Sequence, residues 1–525
     1  MKKIWIIVFL GLVVYSFGLF NGFVWDDEEQ IVNNVFVHSI KNIPILFQSS
    51  TFNNGGAGLS GGTYYRPLMM TFFSFVYNIF GPNPFFFHFF QLVFHILTAI
   101  LIYYLFNHFF KEGISFFLAL IFLVHPGNVE TVAYISAIQD IFYVFFGLLA
   151  LYLIIKDRGK FEFKKIILIN SLLLLALLSK ETGILFFLLI LIYKFIYQKK
   201  YLLEHIIFFM ITIGIYSILR FAIGGVFFTP YHNAPIVQLN FWQRTMMIPA
   251  LLFHYLKLFF YPVNLAVMQH WVIRTFSFYN FYWPLLVIIG FFLLSIFKSS
   301  IFFFLWFIIS IAPYLQLFPL DMTVADRWFY LPMIGLLGMI GTMLSKLQII
   351  NHKSQINFKS QIKSKTIFIL LIIIIIVFSV RSFIRILDWK NGLTLYSRDV
   401  KISKDAFDLE NNLGVELFRS GKYTDAKNHF KNSTEIAPFW WTNWNNLGVI
   451  YEREKNIQKA AEYYQKAIDN GQYYLAYENL AKILVIHGKD QKKTKEFLQN
   501  SLYLFPKSQN LLLINNYFIE KNNQK

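Results

Sequence analysis

The chain has 525 residues, of which 56% are hydrophobic and 14% charged, with 63 Phe and 20% aromatics in all. This is not the composition of a soluble protein. The formal charge of +18 does not point to nucleic acid, because the basic residues fall largely in short loops beside apolar runs. The lack of Cys excludes disulfides, haem thioether links and Cys-based metal sites, and leaves the redox compartment open.

In chain order, MKK followed by Ile4–Phe20 has the outline of a signal peptide. No small-x-small cleavage site follows, so an uncleaved first span is expected. Further candidate spans are Phe85–Phe110, Ile114–Val124, Thr131–Ile155, Ile166–Leu178, Gly183–Tyr197, His205–Ile223, Phe281–Phe297, Ile301–Phe318, Trp328–Leu344 and Thr366–Val380. Apolar runs of this kind cross a hydrocarbon layer of roughly 30 Å as helices. The expected fold is therefore all-α, a polytopic transmembrane domain of about eleven spans.

Lys and Arg in short loops set the orientation. KDRGKFEFKK (156–165), the YKFIYQKK end of Gly183–Tyr197 and the segment 346–365, with five Lys and no acid, belong in the cytoplasm, as do Lys2 and Lys3. That arrangement requires Gly224–Asn280 to stay outside. Its apolar piece Met246–Tyr261 is then re-entrant, interfacial or a missed pair of crossings. Parity places everything after Val380 on the extracytoplasmic side.

The run WDDEEQI follows the first span, at the outer face, and opens a long loop, 21–84, that contains the glycine-rich GGAGLSGG (55–62). Pro67 suits a helix start. From there Leu68, Phe72, Phe75, Val76 and Ile79 keep near-helical spacing, as in a helix lying on the membrane surface. Other polar groups lie at expected outer ends of spans: Arg66 in YYRPL, His125 and Glu130 in HPGNVE, Lys180 and Glu181 in LLSKETG, and Asp326 and Arg327 in ADRWFYLP. Gln139 and Asp140 sit one to two turns inside a span.

Each has a plain structural reading. Asp26 can cap a helix, His125 before Pro126 can be a turn histidine, Lys180 and Glu181 a paired hairpin tip, and Arg327 a headgroup anchor. Together they are harder to dismiss, since charges from five distant segments reach one face of a membrane, where ionisable groups mark function by default.

From Asp405 the chain becomes polar and periodic. Asn412-Leu413-Gly414 recurs 34 residues on as Asn446-Leu447-Gly448, and Asn479-Leu480-Ala481 follows after 33 more. Ala426 and Ala460 are also 34 apart. These are three tetratricopeptide repeats (about 405–438, 439–472 and 473–506), with Leu511–Ile519 as a cap. Asn412, Asn446 and Asn479 occupy equivalent sites on successive first helices. Such a row can hydrogen-bond an extended peptide backbone without reading its sequence, or can satisfy local turns.

The order WDDEEQIVNN, YYRPLMMTFFSFVYNIFG, HPGNVETVAYISAIQDIFYVFFGLLALYL, LLSKETG and ADRWFYLP, then the repeats, resembles the membrane-bound protein O-mannosyltransferases. More closely, it is similar to the transmembrane-and-tetratricopeptide-repeat proteins of the C-class glycosyltransferase superfamily and their bacterial relatives. The resemblance covers nearly the whole chain, except Tyr231–Phe278, where no motif can be placed. It implies a transferase domain over 1–380, a linker over 381–404 and the repeats over 405–525.

The resemblance also implies transfer of a mannose-like hexose from a polyprenyl-phosphate carrier to an acceptor hydroxyl, Ser or Thr of an exported polypeptide, at the outer leaflet. A glycosyl phosphate leaves as an anion, so nearby cations stabilise the developing charge; Arg66, Lys180 and Arg327, with Arg244, are the candidates. An attacking hydroxyl needs a carboxylate to take its proton. The family places an acidic pair in the first outer loop, which matches Asp26-Asp27: Asp26 as the base, Asp27 as alternate or orienting partner. His125, Glu130, Asp140, Glu181 and Asp326 line the site, and Glu28 and Glu29 are helix-face residues.

No cofactor is required on this reading, though a carboxylate cluster can hold a divalent cation. The apolar spans form a groove for the isoprenoid tail. Two other functions fit parts of the pattern: a non-catalytic, membrane-anchored repeat scaffold for envelope or secretion complexes, and a lipid-to-polysaccharide glycosyltransferase. A transporter fits less, without charges deep in several spans or paired halves.

Overall fold

Proline and short polar segments cut the apolar part of the chain into helices, and the structure, a computed structural model, describes residues 1–53, 62–156, 162–228, 234–295, 301–353 and 358–523. The glycine-rich run 55–62 lies outside these residues except for its last member, as do 157–161 of one basic loop and 354–357 of the Lys-rich segment. Among the described residues helix is the only regular structure, apart from one isolated antiparallel bridge between Gln269 and Val324. The chain divides into two compact units, 1–51 with 63–391, and 52–62 with 392–525.

Among the described residues of the first unit six helices are long and apolar enough to cross a bilayer: Lys2–Phe20, Pro84–Phe109, Ile135–Ile155, Leu202–Ile223, Asp326–Lys346 and Thr366–Asp388. A bent pair, Glu112–Val124 and Pro126–Ala133, meets at 51° and makes seven if it counts as one span. The count of eleven is not confirmed. Each remaining candidate has a helix, but Phe163–Ser179, Leu185–Tyr197, Trp283–Ser295 and Ile301–Ile311 have only 17, 13, 13 and 11 residues. At a rise of about 1.5 Å per residue these fall short of a roughly 30 Å core unless flanking turns complete them. The helix Ile248–Phe260, also 13 residues, is too short for a pair of crossings, which leaves the re-entrant and interfacial readings of Met246–Tyr261.

A helix starts at Pro67 and runs to Phe80. Its packed face is not the one the spacing suggests: Met69, Met70, Phe73 and Val76 are buried, whereas Phe75 and Ile79 are exposed, and Leu68 and Phe72 are half-buried. Phe75 and Ile79 therefore mark the side turned away from the protein, whereas Phe72 packs on Phe90 and Phe142 and Val76 is buried. The outward side is where a helix resting on lipid keeps its apolar residues.

The polar motifs after the first loop share one local cause. They sit where a helix begins through a short 3-10 turn: Pro126–Asn128, Ile135–Ala137, Glu181–Ile184 and Asp326–Phe329. Irregular backbone among apolar helices needs partners inside the protein. Gln91 supplies two of them, its amide nitrogen lying 2.6 Å from the carbonyl oxygens of both Thr131 and Tyr134. The start of the first loop is tied to the far end of the last span, with Asn21 donating to the Ile386 carbonyl (3.2 Å) and the Gly22 amide to that of Lys390 (3.0 Å). Residues 381–404 are largely helical rather than a loose linker, since the last apolar helix continues to Asp388 and Gly392–Asp399 forms another.

In the second unit the helices Phe407–Arg419 and Tyr423–Ile436, Trp441–Arg453 and Ile457–Asn470, and Tyr474–His487 and Gln491–Leu504 pack as three successive pairs, followed by Gln509–Asn523. The repeat marks are packing devices. A Cβ on Gly414 would lie 2.6 Å from the Phe430 ring, and one on Gly448 2.6 Å from the Tyr464 ring. The third pair fills the same place with Ala481 and Leu498, both fully buried. A small residue opposite a ring becomes a larger one opposite a smaller side chain, which conserves volume.

This exchange can be tested with a double-mutant cycle. Gly448→Ala overpacks the Tyr464 ring and lowers stability by about 1–3 kcal/mol. Adding Tyr464→Leu, which copies the third pair, recovers part of that loss, with a coupling of at least about 0.5 kcal/mol by thermal or denaturant unfolding.

Candidate functional site

The acid run forms a tight turn with Trp25 at its corner. Trp25 has φ of 57°, a left-handed conformation rare for a bulky side chain and a frequent sign of function. Asp27 holds the turn. Its Oδ2 accepts the Val24 amide (3.2 Å) and its Oδ1 accepts both the amide (2.8 Å) and the hydroxyl (2.7 Å) of Ser136. The side chain is fully buried. Burial pushes its carboxyl up to about 7 against those three hydrogen bonds.

Asp26 points elsewhere. Its Oδ2 accepts the Tyr134 hydroxyl at 2.7 Å, and among the described residues Oδ1 has no hydrogen-bond partner. It is therefore not a helix cap. Burial raises its carboxyl to about 6, opposed by the Tyr134 bond and the charges of Arg327 and Arg66, and reinforced by Asp321. Tyr134 lies between two indoles, stacked on Trp25 at 5.0 Å and on Trp389 at 6.0 Å. The Arg327 guanidinium stands 5.3 Å from the Trp25 ring and 5.9 Å from that of Tyr134.

Four ion pairs in three groups connect the motif residues. Arg327 is bonded to Glu130 through its side chain, and its amide donates to the same carboxylate at 3.3 Å. It is thus paired inside the protein. Lys180 pairs with Asp140 at 2.5 Å and not with its neighbour Glu181. Glu181 receives Arg220 (3.0 Å), Arg66 (3.5 Å) and the Tyr65 amide (3.1 Å). Burial pushes the Glu181 carboxyl up, but Arg66 and Arg220 more than offset it, and it stays below the usual range. Arg66 also covers the Tyr64 ring at 4.0 Å, and Tyr64 donates to Asp321 at 3.2 Å.

Other expected site residues have different partners. His125 Nδ1 accepts the Gly127 amide (3.0 Å), Nε2 meets the Phe259 carbonyl (3.0 Å), and the ring packs on Phe259 and Phe378, which makes it a turn histidine. Arg244 binds the backbone carbonyls of Gln316 and Leu239 and bridges two loops instead of joining the cluster. Asp326 is buried beside Arg327 at the helix start. Glu28 begins a short helical turn, and Glu29 accepts the Asn33 amide. In the repeats, Asn446 donates to Asn411 (2.9 Å) and Asn479 to Asn445 (3.0 Å), while Asn411 and Asn445 donate to Asn412 and Asn446 (3.3 Å each). The row is an amide ladder between repeats. Among the described residues no group of three or more His, Asp or Glu side chains gathers that could hold a metal ion.

Sequence reasoning missed Trp25, Tyr134, Arg220, Asp321 and Trp389. The first two lie inside the quoted motifs, one residue before Asp26 and four after Glu130. Arg220 carried a weak signal as a lone cation near the end of an apolar run. It is 1% exposed and also bonds the carbonyls of Thr63 and Val226 and the Tyr216 hydroxyl.

The structure is that of an apolar helical domain joined to helical repeats, and both parts have counterparts among known proteins. Residues 65–223 match the family described as dolichyl-phosphate-mannose-protein mannosyltransferase, and residues 441–470 match the tetratricopeptide repeat. The chain is 24% identical to a Caenorhabditis elegans protein O-mannosyl-transferase, F38B6.6, over 83% of this chain and 63% of that protein. It is 24% identical to the Homo sapiens protein O-mannosyl-transferase TMTC3, over 89% of this chain and 55% of that one. A shorter stretch, 34% of the chain, is 34% identical to the Mus musculus protein O-mannosyl-transferase TMTC1 and covers 20% of it. The resemblance drawn from the motifs is thus borne out: the chain is similar to the transmembrane-and-tetratricopeptide-repeat protein O-mannosyl-transferases, and it spans 55–63% of the length of the first two relatives.

The geometry separates the two adjacent acids. Asp27→Ala leaves the Ser136 and Val24 amides without acceptors, each an unsatisfied buried group worth about 1–3 kcal/mol. A loss of about 2–5 kcal/mol, read as a lower unfolding temperature in detergent, is expected there. Asp26→Ala should change that temperature far less.

Proposed function

We propose that the chain is a glycosyltransferase that moves a mannose-like hexose from a polyprenyl-phosphate carrier to a Ser or Thr hydroxyl of an exported polypeptide, at the extracytoplasmic face. In this single displacement the acceptor oxygen bonds to the anomeric carbon as the bond from that carbon to the phosphate oxygen breaks. The electron pair leaves with the phosphate, and the hydroxyl proton goes to Asp26 Oδ1. Arg66 and Arg327 face the leaving phosphate and stabilise its growing charge. Glu181 with Arg220, and Glu130, hold those two cations in place.

One observation carries this reading: the Asp26 carboxylate, with one oxygen anchored by Tyr134 and the other without a partner among the described residues, feels the charges of both Arg327 and Arg66. Acid and cations from three distant segments act on one point, as displacement of a glycosyl phosphate requires. A scaffold gives no reason for that convergence. Lys180 acts through Asp140 in this scheme, and Arg244 supports the loops. The repeats offer the acceptor polypeptide a surface that includes Asn412, Asn446 and Asn479, while the isoprenoid tail lies along the apolar helices.

Purified protein given polyprenyl-phosphate mannose and a Ser/Thr-containing polypeptide tests the proposal. Asp26→Asn should lower kcat by about 10²–10⁴-fold, the usual contribution of a general base, with the unfolding temperature kept. The base works ionised, so the rate rises with pH through about 6 and is lost below it. Turnover by Asp26→Asn at the wild-type rate would remove the mechanism. In cells, a reporter fused after Asn523 should be active only outside the cytoplasm.

A further inference from the structure

We propose that Tyr134 is a positioning residue of the transfer reaction: its hydroxyl fixes which oxygen of Asp26 meets the acceptor and sets the pH at which that carboxylate becomes competent. The inference rests on Asp26 being the base and deepens that reading.

The ring of Tyr134 has little freedom. Trp25 and Trp389 stack on it, at interplanar angles of 16° and 25°, and Trp389 is fully buried. The backbone is held as well, because Gln91 takes the Tyr134 carbonyl and Ser136, two residues on, is bonded to Asp27. A hydroxyl on so constrained a ring has one destination, and it is Asp26 Oδ2 at 2.7 Å. Trp25 adopts its left-handed conformation in the same turn, which presents the Asp26 side chain to Tyr134 on one side and the Trp25 ring to Arg327 on the other. Anchoring Oδ2 leaves Oδ1 to accept the proton of the attacking hydroxyl.

The charged groups around Asp26 act in both directions. Arg327 and Arg66 favour its ionised form, Asp321 opposes it, and the neighbouring Asp27 carboxyl feels the charge of Asp26 in turn. The Tyr134 bond is the uncharged member of this set, and phenylalanine removes it without disturbing the stack. A hydrogen bond to an ionised group is worth about 1.5–3 kcal/mol, and one pH unit corresponds to about 1.4 kcal/mol. Loss of the hydroxyl should therefore move Asp26 upward by about one to two pH units.

The test does not depend on turnover. Infrared difference spectroscopy follows the protonated-carboxyl band of Asp26 against pH, with Asp26→Asn identifying the band. In Tyr134→Phe the titration should move up by about one to two units, and 3-fluorotyrosine at position 134, a stronger donor that preserves the fold, should move it down. With polyprenyl-phosphate mannose and peptide as substrates, the acid limb of kcat should move in step, while the donor KM stays within about twofold. A titration unmoved in both variants overturns the inference, and so does a kcat that falls equally at every pH. Absence of transfer by the wild type, with the titration shifted as stated, would instead count against the proposed reaction.

Discussion

The first unit depends on one buried carboxylate. Asp27 accepts three hydrogen bonds, from Val24 and twice from Ser136, and so joins the turn after the first span to the break before the helix Ile138–Ile155. Those segments lie more than a hundred residues apart, and the loop between them contains a glycine-rich run. Without that junction neither the Trp25 corner nor the Asp26–Tyr134 bond has a fixed frame. Adjacent acids thus do different work because alternate residues of a tight turn face opposite ways: one side chain goes into the protein and the other toward the cations.

The ionic groups around this junction are better understood as placement than as stability. Burying an ion pair removes both partners from water, and the attraction between them rarely exceeds that cost by much. Lys180 with Asp140, Arg327 with Glu130, and Glu181 with Arg66 and Arg220 are therefore an uneconomical way to fill an apolar bundle. Their use is geometric: each fixes a cation near a helix end, Arg66, Lys180 and Arg327 before or at a start and Arg220 in a last turn, where a long side chain would otherwise sample many rotamers. Arg220 extends the scheme by binding the backbone just before Tyr64 and Arg66, so that the position of Arg66 follows from a residue more than one hundred and fifty places away.

Much of this was legible in the sequence, and what was not has a physical cause. The repeats were readable because a 34-residue period carries several marks at once, among them Gly414 and Gly448, which the Phe430 and Tyr464 rings require. The start of a helix at Pro67 was readable because proline leaves few alternatives. Its packed face was not, since spacing defines an apolar stripe without saying whether lipid or protein covers it. Span count was not fixed for a related reason: an apolar run of 11 to 17 residues is compatible with a core helix, a re-entrant piece or part of a span. The motif acids and cations came out as one neighbourhood, but their pairing did not. Lys180 and Glu181 are adjacent in the chain and turn to different partners because the extended backbone at Lys180 sends consecutive side chains apart. Tyr134 and Trp389 carry no charge, and in a chain with this many aromatics nothing distinguishes them from packing residues until Asp26 is placed.

The amide ladder shows how local satisfaction and function can share a residue. A primary amide has two donor hydrogens and an acceptor oxygen. Asn446 uses one hydrogen toward Asn411 and its oxygen toward Asn445, which leaves the second hydrogen within the capacity of the group. The ladder therefore does two things that a row of separate asparagines could not. It orients the amides of Asn446 and Asn479 by the preceding repeat. It also lowers the entropy lost when an extended chain is bound, because the side chains are already ordered. On the proposed function, a surface arranged in this way would suit polypeptide backbone over any particular sequence.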